Sequence, residues 1–123
     1  MVKIFELKNW HKHSISLVLL GSIPGAILRW QINHDFWSNI LGSAFLGVVF
    51  GLKLKQRVQL ILVVGLCGSL TTFSGWMFTS FDLLLKGFFW QSFILIIGSL
   101  ISGCLALSLG FFMGKKLRQL FMP

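Results

Sequence analysis

Apolar positions along the chain gather into four runs, about residues 14–30, 36–52, 58–81 and 88–113. They are separated by the polar stretches QINHD (31–35) and KLKQR (53–57) and by an interface marked by Asp82 and Lys86. A helix crosses about 30 Å of hydrocarbon with roughly 20 predominantly apolar residues, so each run is a candidate span, and the last is long enough to cross with tilt. The pattern predicts an all-α integral membrane protein with four transmembrane helices. A short amphipathic segment precedes them. In residues 1–13, Ile4, Phe5, Leu7 and Trp10 alternate with Lys3, Lys8, Lys12 and two histidines, which suits a helix lying along anionic headgroups of membrane lipid. A basic tail, 115–123, follows them.

The third run changes character partway. Gly65 to Trp76, GLCGSLTTFSGW, holds three glycines, two serines and two threonines in twelve residues. Glycine costs about 1 kcal/mol relative to alanine inside a helix, and Ser and Thr hydroxyls compete for the backbone, so a break near Gly68 to Thr72 is expected. Lipid cannot satisfy the N–H and C=O groups that a break frees. Irregular backbone at membrane depth therefore lines a site, and function is expected here.

The other runs carry packing faces. Gly21 and Gly25 flank Pro24 in the first, where the proline is expected to kink the helix; Ser43, Gly47 and Gly51 recur every fourth residue in the second. Gly98 with Ser102, Ser99 with Gly103, and Gly110 with Gly114 do so in the fourth. Asn39 lies on the stripe side of the second run, either as interhelical glue or as a neutral donor lining a polar path. Arg29 reads as a snorkelling interfacial cation beside Trp30 or as a charge that gathers anions at a vestibule.

Composition agrees with the membrane class and narrows the chemistry. Of 123 residues, 55% are hydrophobic, and mean hydropathy is +0.84. The net charge of +8 does not form a basic face with interleaved aromatics, which argues against nucleic acid as a partner. It reads as topology. Lys3, Lys8, Lys12, Lys53, Lys55, Arg57, Lys115, Lys116 and Arg118 make nine basic residues on the side that holds both termini, against Arg29 and Lys86 on the other, so both termini are expected in the cytoplasm. Cys67 and Cys104 sit in apolar segments and read as small buried thiols. No Asp, Glu, Lys or His falls mid-span. That removes the equipment of proton-coupled carriers, including small dual-topology multidrug carriers, and of membrane hydrolases, and an enzyme is not expected. What remains is neutral: Asn39, Ser43, Ser69, Thr71, Thr72, Ser74 and aromatic rings with electropositive edges, a lining suited to a small anion.

Three stretches, GSIPGAILRW, SNILGSAFLG and GLCGSLTTFSGW, resemble the Fluc (also called CrcB) fluoride channels from Gly21 onward. The family pattern is Gly-Gly-x-x-Gly-x-x-x-Arg, Asn-x-x-Gly-Ser/Ala and Gly-Gly-x-Thr-Thr-Phe-Ser-Thr-Phe. The resemblance implies a passive fluoride-exporting channel of the bacterial plasma membrane, built as an antiparallel dimer. It also implies a buried structural sodium ion held by the main-chain carbonyls of Gly68 and Thr71. Asn39, Phe73, Ser74 and, in place of the family's second phenylalanine, Trp76 would line the pore, with Arg29 at its mouth. The partner would be a second copy or an oppositely oriented paralogue, and a non-conducting or partner-dependent subunit is the alternative. Gly75 and Trp76 replace the family's Thr-Phe, Ser69 replaces a glycine, and Asp35 and Phe36 stand where the family has Gly-Thr-Leu.

Overall fold

The computed structural model describes residues 2–122, with side chains from His13 onward. The first helix, α1, runs Val2–Ile32 without interruption, so no backbone boundary separates the expected interfacial segment from the first span. The apolar face expected of residues 1–12 lies outside the described side chains. Pro24 sits inside the continuous helix. Asn33 closes the turn in the left-handed region, φ 48°, a conformation asparagine tolerates better than most residues. The second helix, α2, spans Asp35–Leu52 and ends on Lys53, also left-handed.

The third span, Gln56–Leu85, is composite. It opens as α3 (Gln56–Gln59), widens into a π-helix over Leu60–Cys67, tightens to one turn of α4 (Gly68–Leu70), breaks, and resumes as α5 (Ser74–Leu85). The break falls at 71–73, the C-terminal end of the expected window, because Gly68 itself remains helical (φ −62°, ψ −34°) while Thr71 is extended (φ −82°, ψ 151°). The sequence carries no signal for the π-helix: its widened hydrogen-bond pattern leaves no periodic mark in a uniformly apolar stretch. The last helix, α6, runs Phe89–Phe121. The basic tail therefore continues the helix instead of forming a separate unit, since Lys and Arg are good helix formers that also suit its C-terminal dipole end.

Four helical stretches are long and apolar enough to cross a membrane, and among the described residues there is no strand. They pack in two layers of contact, α1 against the π-helix and α2 along α6. The α2–α6 seam is a backbone-on-backbone contact. A Cβ on Gly47 would meet the Leu107 carbonyl oxygen, and one on Gly110 would meet that of Ala44, so only glycine permits this approach. Gly21 and Gly65 do the same between α1 and the π-helix. Gly98 has open space around it instead, so the Gly98–Ser102 face expected to pack is free within this chain. Of the two thiols, Cys67 is buried and Cys104 is exposed on α6. Replacing Gly47 with Val is expected to destabilise the fold by about 1–3 kcal/mol, the usual cost of overpacking. Thermal unfolding in detergent measures it; an unchanged midpoint would mean that the seam opens freely.

Candidate functional site

The break is held by two consecutive residues of α2. Ser38, fully buried, donates its hydroxyl to the Leu70 carbonyl at 2.6 Å. Asn39 engages both main-chain groups of Thr72: its Oδ1 accepts from Thr72 N–H at 2.7 Å, and its Nδ2 donates to Thr72 O at 3.0 Å. A side-chain amide has the same donor and acceptor pair as a peptide unit, so Asn39 gives Thr72 the partners that a neighbouring strand would supply. Asn39 is therefore first a clamp on the break, with one Nδ2 hydrogen left for another acceptor. Ser38 was not among the residues singled out from the sequence, where the adjacent Ser-Asn pair in an apolar run was its only mark.

This arrangement frees particular carbonyls. In an unbroken helix the Thr72 N–H would bond to Gly68 O and the Gly75 N–H to Thr71 O. Here the first goes to Asn39 Oδ1 and the second to Thr72 Oγ1 at 3.3 Å. Gly68 O and Thr71 O thus lose their helical donors while staying close in sequence to a well-clamped turn. Oxygen donors of this kind suit a hard cation. The Thr71 hydroxyl is occupied, donating to Cys67 O at 2.9 Å.

Past the break the polar path reaches the surface of the chain. Phe73 is 72% exposed and Ser74 is exposed, with its hydroxyl 3.4 Å from that of Thr72. Phe73 and Trp76 lie with ring centroids 5.5 Å apart at 55°. A cavity of about 480 Å³ is lined by Asn39, Thr71, Thr72, Phe73, Trp76 and Ser99, among others. Two of its lining residues also carry polar atoms buried behind its surface, the Trp76 indole nitrogen and the Ser99 hydroxyl, with no hydrogen-bond partner among protein groups, an arrangement that costs about 1–3 kcal/mol per group. Trp76 is thus brought to the site, and Ser99, read from sequence as a packing residue, joins it.

Arg29 stands apart from this cavity. It is exposed at the end of α1 and lines a second cavity, of about 560 Å³, with Trp30, Asn33, His34, Asp35 and Ser69. A smaller cavity, about 260 Å³, shares Asn33, His34 and Asp35 with this one and Phe36 and Trp76 with the cavity beside Asn39. Away from them, Ser92 and Ser80, both buried, tie α6 to α5 through a 2.8 Å bond from Ser92 Oγ to Ser80 O, which fixes the second half of the broken span.

A clamped break in a membrane span, two freed carbonyls and a neutral cavity match the motifs read from the sequence, and comparison with known proteins agrees. The chain is 51% identical over 118 residues to "Fluoride-specific ion channel FluC 1" of Prochlorococcus marinus (strain SARG), covering 96% of this chain and 95% of that protein. It is 44% identical over 112 residues to "Fluoride-specific ion channel FluC 2" of Synechococcus sp. (strain CC9902), covering 87% and 84%. A third relative, "Fluoride-specific ion channel FluC 2" of Prochlorococcus marinus (strain MIT 9313), shares 44% over 103 residues, covering 83% and 82%. Residues 16–111, which include all four spans' cores and the break, match the family described as "CrcB-like protein, Camphor Resistance (CrcB)", and this multi-pass membrane protein belongs to that family.

Proposed function

We propose that the chain forms a fluoride-selective channel that lets cytoplasmic fluoride leave down its gradient, working as an antiparallel dimer in a bacterial plasma membrane with both termini in the cytoplasm. The observation that carries the reading is the clamped break, which sets freed backbone and an aromatic pair beside a neutral, largely apolar cavity within a membrane-spanning stretch. The names of the relatives support it. Fluoride is small and tightly hydrated, so a path for it needs close donors to replace water. The spare Nδ2 hydrogen of Asn39, the Ser74 hydroxyl, the ring edge of Phe73 and the Trp76 indole N–H provide them, and Arg29 draws anions to the mouth.

Phe73 and Ser74 face out of the single chain, and in this reading a second chain closes the path over them. A structural sodium ion, not transported, fits Gly68 O and Thr71 O, whose helical donors are diverted. Bound there it would supply a fixed positive charge that a neutral anion path otherwise lacks. Charge counts favour a related chain of opposite bias as the partner over a second inverted copy. Inverting this chain would put nine basic residues outside and two inside, against the usual preference. Relatives carrying the numbers 1 and 2 are consistent with paired chains.

Efflux from liposomes read with a fluoride electrode tests this. Fluoride without chloride is expected from the chain co-reconstituted with its paralogue. Equal chloride flux would remove the selectivity, and no fluoride flux from either preparation would leave a non-conducting assembly subunit. Full flux from this chain alone would make the homodimer sufficient.

A further inference from the structure

The structure brings together two positions that look unrelated in sequence, Asp35 and Gly75. The Asp35 carboxylate lies over the Cα of Gly75 on the first turn of α5, so closely that a Cβ at position 75 would collide with both its Oδ2 and its Cγ. Any other residue there would push the carboxylate away. Asp35 is only partly buried and lines both the cavity beside Arg29 and the smaller one that shares lining residues with it and with the cavity beside Asn39. It is the single acidic side chain lining these three cavities. Among the described residues, the one ion pair joins Lys86 to Asp82, so neither Arg29 nor His34 neutralises Asp35 at contact distance.

We propose that Asp35, seated by Gly75, is a rate-determining charge on the anion path, a fixed negative group that opposes the pull of Arg29 and slows fluoride between the cavity beside Arg29 and the one beside Asn39. This rests on the fluoride-channel reading. A carboxylate in the smallest of the three cavities repels a passing anion across a short distance. The charged and titratable groups facing it are Arg29 on α1 and His34 before α2; α5 and α6 present none to these cavities. Asp35 also occupies the first turn of α2, where a negative charge favours the helix dipole. That role alone would make Asp35 a stability residue with no effect on flux.

The test separates the two. Asp35→Asn keeps shape and removes charge, and initial fluoride efflux should rise about tenfold at about 10 mM ionic strength. The gain should shrink to about twofold at about 1 M, where the screening length falls from about 30 Å to about 3 Å. Asp35→Glu should stay at or below the parent rate. Gly75→Ala should raise flux while Asp35 is present, by displacing the carboxylate, and should add nothing once Asn stands at 35. Size-exclusion elution of the dimer checks folding, and Asp35→Ser repeats the experiment should the Asn variant not assemble. Flux from Asp35→Asn equal to or below the parent at every salt concentration, with the parent conducting, overturns this proposal alone. Absence of fluoride flux from parent and variants overturns the channel reading and this proposal with it.

Discussion

Replacing Asn39 with Asp is expected to abolish or strongly reduce fluoride flux from the assembled dimer. The substitution keeps one oxygen for the Thr72 N–H but turns the donor facing Thr72 O into a second acceptor, so a 3.0 Å attraction becomes a repulsion. It also places an ionised carboxylate on the cavity that Asn39 lines. Two like charges about 5 Å apart interact by about 3 kcal/mol at an effective dielectric constant of 20, equivalent to a fall in flux of about two orders of magnitude. Asn39→Ala distinguishes clamp from lining. It removes both bonds and leaves the Thr72 N–H and C=O without partners, at about 1–3 kcal/mol each, so it should lower the unfolding midpoint as well as flux. Thermal unfolding and electrode efflux measure the two effects side by side. An Asp variant that conducts at the parent rate would mean that Asn39 holds the break without facing the anion.

Phe73→Ile is expected to do the opposite to stability and nearly the same to flux. The ring is 72% exposed on the single chain and contributes little to its packing, so the folded monomer should lose less than about 0.5 kcal/mol. Isoleucine keeps much of the bulk and removes the electropositive ring edge, which has no aliphatic substitute for a dehydrated anion. Efflux should fall at least about tenfold while size-exclusion still shows a dimer. Unimpaired efflux would assign Phe73 to contact between chains.

These two residues differ in how legible they were. Phe73 stands inside Thr-Thr-Phe-Ser, a run that marks itself by breaking an apolar helix, and it is the last residue of the break, just before α5. Asn39 was visible as an uncommon polar residue in a span, yet its partner was not, because Thr72 lies 33 residues away. Ser38 was not singled out at all, since a lone serine in a transmembrane run is unremarkable until the Leu70 carbonyl is seen above it.

What the sequence determined by itself is set by local physics and by the lipid. Four apolar runs of spanning length, basic loops biased to one side, and a cluster of Gly, Ser and Thr that cannot stay helical are all properties of contiguous residues. They led to an all-α, four-span protein with a broken third helix. Tertiary structure decided where the break falls, the π-helical approach to it, and the meeting of Asp35 with Gly75. Each depends on which distant groups reach a freed N–H or C=O, or fill the space beside a glycine. A hydrogen bond from α2 to the third span exists only when the helices are packed, and no window of sequence contains both ends of it.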